Sequence, residues 1–432
     1  MIQASGESTF GHHALSLGEA AAVAAHPAGN GTGRPIAIVL PPREDFSPAA
    51  SGAIGIVVHQ LARTSRPGFS PLVIGPASPF PPYPDVAFTP VRPRWWPPGS
   101  HAWRYARAVL HGLRDLEWSE VIRAPTPRSR SLFSRVIRTS GFPTSGHHAL
   151  APSLIEVHNR PDVALFLAER LADSKVVLFL HNDPLGMREA RACAARQRLL
   201  ARLARVVTVS GFLRGRMLEG IAETGRVCVL PNPIVRTAVP VADPSRPREK
   251  VLLFAGRVVR DKGADAFVAA VEAVLPRLPG WRAEMFGADR FGPDSPENAY
   301  LRALRRRAAS AGIAMRGYRP QAEVLAAMAR GAIVVVPSRW EEPFGLTALE
   351  AMAAGAALIT TRRGALPEVA GTAARYAEPD PPEALAEAIH ALANDEPGRV
   401  ALGAAGQARA REFDLERVAS RLDRLRREVL DS

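Results

Sequence analysis

Cysteine is nearly missing from this chain of 432 residues, which has only Cys193 and Cys228. Two thiols so far apart build no disulfide framework, and neither sits in a Cys-x-x-Cys pair of the kind that holds zinc. A reducing, cytoplasmic setting is the natural expectation. Long apolar runs are missing too. No stretch approaches the roughly eighteen uninterrupted apolar residues of a membrane span, and the N-terminus lacks a basic segment leading into an apolar core. Neither a spanning helix nor a secretory leader is expected. Lysine is scarce, so the net charge of +13 rests almost wholly on arginine. Such a surplus suggests an anionic partner: a membrane surface, a phosphorylated lipid or nucleic acid. The arginines are scattered among apolar-periodic segments, however, and no helix-turn-helix, zinc-finger or RNA-recognition signature accompanies them, which argues against a dedicated nucleic-acid binder.

What is present is apolar material, 47% of the chain, in a length that exceeds what one core usually serves, so two domains are expected. Residues 1–33, rich in Ala, Gly, Ser and His without apolar periodicity, read as a disordered tail. A first series, 34–239, opens with the β-rich run 35–40 and, beyond Gly52, the helical pattern Ile54, Val57, Val58, Leu61. Further strands are expected at 71–74, 154–157, 175–180 and 205–209, with helical patterns between them. The polar, proline-rich piece 240–250 reads as a linker. A second series, 251–411, alternates strand 251–255, helix 264–275, strand 282–286, helix 297–311 and a strand at Ile333. Alternation of this kind predicts two doubly wound α/β domains with parallel sheets, facing each other across a ligand cleft. The last segment, 412–432, carries Leu415, Val418, Leu422, Leu425 and Val429 on one helical stripe.

The chemistry concentrates at Glu342-Pro-Phe-Gly-Leu-Thr-Ala-Leu-Glu350. The apolar run 332–336 before it reads as a buried strand, and 346–354 as a helix that Gly355 can end. A strand, a tight turn through Phe344 and Gly345, and the open amides of Leu346 and Thr347 at a helix start make a favourable place for a phosphate. Glu350, about one turn into that helix, suits ribose hydroxyls, and Glu342 in the loop reaches a sugar beyond the phosphates. A second cluster, Gly256-Arg257 with Asp261-Lys262-Gly263, places two cations directly after strand 251–255. Such a pair suits a diphosphate whose charge grows as a bond to it breaks. The two cysteines and the paired histidines at 12–13 and 147–148 supply no convincing metal ligand set.

The run from Ser338 to Gly355, followed by Gly364-Ala-Leu-Pro-Glu368, closely resembles the signature of the retaining family-4 glycosyltransferases of GT-B fold. The resemblance implies two Rossmann-like domains and transfer of a hexose from a UDP- or GDP-sugar, with retention at the anomeric carbon and without a metal or other cofactor. It assigns Glu342 to the donor sugar, Glu350 to the ribose and Arg257 with Lys262 to the diphosphate, and it gives His181, after strand 175–180, to the sugar near the reacting carbon. The nucleotide base is expected near Gly317-Tyr318. Glu156, His158 and Arg160 look like the acceptor-side strand end of bacterial lipopolysaccharide and exopolysaccharide transferases, implying a saccharide or glycolipid acceptor. The family's C-terminal helix often crosses back onto the first domain, so 412–432 is expected to do so. Another enzyme class on the same architecture, such as a sugar-nucleotide epimerase, is the second reading.

Three features depart from the family pattern. Its Gly-Gly pair in the first loop is Gly52-Ala53 here, and the glycine of its Pro-Asn-Gly turn is replaced at Pro231-Asn232-Pro233. The stretch 118–152 is longer than the family needs and repeats Gly-His-His-Ala-Leu, first seen at 11–15. Between Arg92 and Arg138, arginines interleave with Trp95, Trp96, Trp103, Tyr105 and Trp118 around an apolar stripe at 128–138. That pattern suits docking on the anionic inner face of a membrane.

Overall fold

In the computed structural model, the structure describes residues 33–66, 68–94, 99–116, 118, 152–240, 247–289 and 297–432. Two parallel sheets organise them. The first joins β1 (Arg34–Val39), β2 (Phe69–Pro76), β3 (Phe88–Val91), β4 (Leu154–His158), β5 (Lys175–Leu180), β6 (Arg205–Thr208) and β7 (Val227–Val229) in the order β3-β2-β1-β4-β5-β6-β7. The second joins β8 (Glu249–Ala255), β9 (Arg282–Phe286), β10 (Ile313–Gly317), β11 (Gly331–Val336), β12 (Ala357–Thr360) and β13 (Arg375–Tyr376) in the order β10-β9-β8-β11-β12-β13. Each order reverses beside the first strand of its series, so both sheets are doubly wound and open a crevice at their C-terminal edge.

Helices cover both faces, which is why the central strands are apolar throughout rather than alternating: every residue of β11 is buried. On one face of the first sheet, Ala37, Val39, Ile155 and Val157 pack with helices His101–Arg114, Pro161–Ala168 and Cys193–Arg202. On the other, Ile36, Ile38, Val177 and Phe179 meet helix Ala53–Arg63 and the C-terminal helix Leu415–Asp431. That last helix therefore lies on the first domain. Two buried polar residues share its apolar stripe. Arg426 is 1% exposed and forks onto Glu156 of β4 at 2.7 and 2.9 Å, while Nη1 reaches Asp423 at 3.2 Å.

Several sequence expectations change here. Strand β3 was not among the expected strands; Pro90 within it is tolerated because β3 is the sheet edge. Tyr105 and Trp118 belong to the core rather than to a membrane-facing array. Tyr105 donates its hydroxyl to the Leu40 carbonyl at 2.7 Å, and Trp118 donates Nε1–H to the Leu113 carbonyl at 3.0 Å, so each buried ring has its polar end satisfied internally. The tail 1–32, linker residues 241–246, the apolar stripe at 128–138 and both Gly-His-His-Ala-Leu repeats lie outside the described residues. Among the described residues no helix is long and apolar enough to cross a membrane.

Candidate active site

The second domain builds its half of the site from two loops that lie side by side. Beyond β8, the turn Arg260–Lys262 ends at Gly263, which adopts φ 70° and would put a Cβ 1.8 Å from the Pro337 carbonyl oxygen. Only glycine permits that approach. It brings the turn against the exit of β11, where the Asp261 carbonyl accepts from the amides of Arg339 at 2.8 Å and Trp340 at 3.0 Å. Stitching the loops in this way joins side chains eighty positions apart. Lys262 Nζ donates to Glu342 Oε1 at 2.7 Å and Oε2 at 2.8 Å, and Ser338 Oγ donates to Oε1 at 2.8 Å. Glu342, 7% exposed, is held from the far side as well. Gly364, at φ 56°, packs so closely that a Cβ would lie 2.3 Å from the Glu342 carbonyl oxygen, which itself accepts from the Ala365 amide at 2.8 Å.

Gly345, at φ 97°, caps helix Leu346–Ala353 without any side-chain cap, so the first amides, including those of Leu346 and Thr347, point out of the turn. Phe344 does not face a ligand with its ring. It is buried edge-on against Phe413 at 5.7 Å and anchors the turn from behind. Glu350 accepts from Gln321 Nε2 at 2.6 Å. Its carboxyl is only partly open to solvent, and the poor hydration among the surrounding elements raises its pKa to about 7 against the pull of the Gln321 amide. Arg257, half-buried after Gly256, makes no side-chain hydrogen bond or ion pair among the described residues. Tyr318 is half-buried just beyond β10, beside Gly317, whose carbonyl accepts from the Gly287 amide at 2.8 Å.

The first domain contributes the ends of β4, β5 and β6. Val209 donates its amide to the Leu180 carbonyl at 3.3 Å, and Ser210 Oγ crosses to the second domain to donate to the Pro343 carbonyl at 2.6 Å. His181 therefore stands one strand from the segment that meets the Glu342 loop. Glu368 strengthens this junction by accepting from the amides of Gly211 at 2.8 Å and Phe212 at 3.2 Å, at the start of helix Gly211–Leu218. His181 and His158 are both buried and share a 2.9 Å contact between His181 Nε2 and His158 Nδ1. Burial pulls His181 down to about 4 and His158 well below its ordinary value, with His181 and Arg426 adding to the latter, so both rings are neutral near pH 7.

The acceptor-side candidates separate. His158 joins the His181 cluster. Arg160 turns to a two-pronged pair with Asp162, one contact at 2.8 Å. Glu156 is not brought to the cleft, because both of its oxygens are taken by Arg426 and it is 2% exposed. At Gly52-Ala53 the helix start holds an acidic side chain: Glu44 Oε1 accepts from the Gly55 amide at 2.8 Å, and burial raises the Glu44 carboxyl pKa. Sequence reasoning missed Glu44, Ser338, Gln321 and Asn159. Ser338 lay inside the signature, whereas nothing local marked Gln321 or Glu44 as partners of distant groups. Among the described residues no three His, Cys, Asp or Glu side chains gather as a metal site.

Residues 249–395 match the family described as "Glycosyl transferases group 1". A putative glycosyltransferase of Bacillus subtilis (strain 168) is 27% identical over 265 residues, covering 57% of this chain and 62% of that protein. A lipopolysaccharide core biosynthesis mannosyltransferase of Rhizobium meliloti (strain 1021) is 31% identical over 234 residues, covering 49% of this chain and 65% of that protein. The chain thus spans a little under two thirds of each of these relatives. Among solved structures, a protein of Anabaena crystallised with UDP and glucose superposes with a TM-score of 0.66 at 16% identity, covering 91% of this chain and 99% of that one, which establishes a shared fold.

Proposed function

We propose that this protein, whose residues 249–395 match the group 1 glycosyl transferases and whose fold is GT-B, transfers a hexose from a UDP- or GDP-sugar to a saccharide or glycolipid acceptor, with retention and without a metal. The observation that carries the reading is the meeting of Lys262 and Glu342 at 2.7 Å beside the open helix start at Gly345. One cation, one carboxylate and the open amides of a helix start are a set that suits a diphosphate and its attached sugar. Arg257, with no competing partner among the described residues, and Lys262 take the diphosphate. Leu346 and Thr347 add amide hydrogen bonds, Glu350 accepts from the ribose, and Glu342 accepts from sugar hydroxyls.

In the reaction, the bond between the anomeric carbon and the phosphate oxygen breaks, and its electron pair leaves with the diphosphate. The acceptor hydroxyl oxygen bonds to the same face of the anomeric carbon, and its proton passes to the departing phosphate. Charge on the leaving group rises as the bond lengthens, so preorganised Arg257 and Lys262 favour the transition state over the bound donor. An acceptor of the lipopolysaccharide-core type is supported by the name of the Rhizobium relative; lipid-linked and exopolysaccharide acceptors, met from the cytoplasmic side by a protein peripheral on the inner membrane, are part of the same proposal. Incubation with UDP- and GDP-sugars and lipooligosaccharide or lipid-linked acceptors tests the proposal. Acceptor-dependent release of UDP or GDP supports it, and no release from any pair overturns it.

A further inference from the structure

His181 is fixed by its two neighbours across the strand pair. Asn159 sits in the left-handed region at φ 57° and accepts, through Oδ1, from the amides of His181 at 3.2 Å and Asn182 at 3.1 Å. Its own amide donates to the Phe179 carbonyl at 2.6 Å, so the turn after β5 is tied to the end of β4. The His181 ring is tied by His158, which lies flat on Phe179 with ring centroids 4.7 Å apart and touches His181 Nε2 through Nδ1 at 2.9 Å.

The two imidazoles share one hydrogen bond, and a second buried atom decides which ring donates. His158 Nε2 is sealed from solvent and has no partner among the described residues. A proton there would be a buried, unmatched N–H, which folded proteins avoid more strongly than an unmatched acceptor. The His158 proton therefore sits on Nδ1 and is donated to His181 Nε2. A neutral imidazole carries one proton, so the His181 proton is on Nδ1. That nitrogen has no partner among the described residues, and His181 is 9% exposed where His158 is 3%.

We infer that His158 is a positioning residue that locks His181 into the Nδ1–H tautomer, so that the nitrogen left without a partner is a hydrogen-bond donor available to an oxygen of the donor sugar. The identity of that oxygen's owner rests on the glycosyl-transfer reading; the tautomer does not. A donor in this position can hold a sugar hydroxyl or ring oxygen but cannot take a proton from the acceptor through that nitrogen, which confines His181 to recognition.

The test uses the full chain with 15N-labelled histidine, and His181 signals are assigned by their loss in His181→Gln. In the wild type the expected spectrum shows His181 Nδ1 as a protonated nitrogen and Nε2 as an unprotonated one. His158→Phe keeps the stack on Phe179 and removes the hydrogen bond, and His181 then averages between tautomers. With a competent donor, kcat of His158→Phe falls roughly tenfold while KM for the donor stays within about twofold, as loss of alignment rather than of affinity requires. His158→Asn, which places an amide near the Nδ1 position, restores part of that loss. An unchanged His181 tautomer in His158→Phe overturns the inference, as does a wild-type His181 protonated on Nε2. Failure of the wild type to turn over any nucleotide sugar overturns the functional reading instead, and leaves the spectra to decide the tautomer.

Discussion

Replacing Arg426 by methionine probes how the last helix is held. The guanidinium is 1% exposed and makes four hydrogen bonds: two to Glu156, one to Asp423 and one to Ser65 Oγ at 2.8 Å. Burial opposes its charge, and the attraction of Glu156 and Asp423 more than offsets that and holds its pKa up. Methionine fills most of the volume but leaves Glu156 and Asp423, with side chains 3% and 1% exposed, buried without their cation. Breaking a buried pair from one side costs about 3–5 kcal/mol. With a urea m-value of about 2–3 kcal/mol/M for a domain of this size, the midpoint should fall by about 1.5 M, followed through the fluorescence of buried Trp118 in the first domain. The double variant Arg426→Met/Glu156→Met removes one uncompensated charge along with the cation and should recover at least half of the loss, since an apolar pair often replaces a buried ion pair at little cost. A single variant within about 1 kcal/mol of the wild type, or a double variant worse than the single, would refute the reasoning.

Glu342→Ala and Lys262→Ala should each lower kcat/KM for transfer by at least about a hundredfold, measured by nucleotide release. Lys262→Ala should in addition lower the melting temperature by several degrees, because the buried Glu342 carboxylate then keeps only Ser338; near-normal turnover in both variants would remove the site assignment. Glu350, held at about 7 against an ordinary 4.5, favours the protonated folded state. Its contribution to stability is therefore full below pH 4.5 and fades as pH rises through 7, and Glu350→Gln should flatten that slope in a melting series. If ribose hydroxyls donate to the ionised Glu350 carboxylate as proposed, UDP or GDP binding at pH 7 should release a fraction of a proton, seen by calorimetry in two buffers and lost in Glu350→Gln. Gly263→Ala should cost more than about 2 kcal/mol in chemical denaturation, since its Cβ would collide with the Pro337 carbonyl oxygen in a left-handed backbone; an unchanged midpoint would mean the turn is free to move.

The central strands of both sheets were legible because each is a short apolar run such as Ile333 to Val336, and parallel sheets demand such runs, whereas β3, β7, β10, β12 and β13 and several helices between the strands were not located. The two loops that meet at Lys262 and Glu342 were legible for a different reason. Its residues are contiguous or nearly so, from Ser338 to Gly355 and from Gly256 to Gly263, and a strand-turn-helix passage fixes their relative places locally. What stayed hidden involves partners far apart in the chain. Glu156 looked like an acceptor-side residue because its segment resembles the acceptor-side strand end of bacterial lipopolysaccharide and exopolysaccharide transferases, yet Arg426, 270 positions later, claims it. Tyr105 and Trp118 looked interfacial because arginines surround them in sequence, while folding turns both rings inward. Side chains that are polar by composition and buried by topology are invisible to periodicity.

The same distant pairing shapes how the site can work. Lys262 is already matched by Glu342, Glu350 by Gln321, and the first helix start by Glu44. A diphosphate approaching Lys262 competes with a carboxylate that is 7% exposed, so its gain is smaller than a free ammonium would give. Drawing Lys262 toward phosphate leaves Glu342 short of donors in a poorly hydrated pocket, where an unmatched charge is costly. Hydroxyls of the attached sugar supply those donors. On the proposed function, phosphate and sugar would be recognised as one unit, through a single ion pair that opens fully only when both are present, and the nucleotide left after transfer would no longer satisfy Glu342. Release of that product would return Lys262 to its internal partner, favouring turnover over retention of the spent nucleotide.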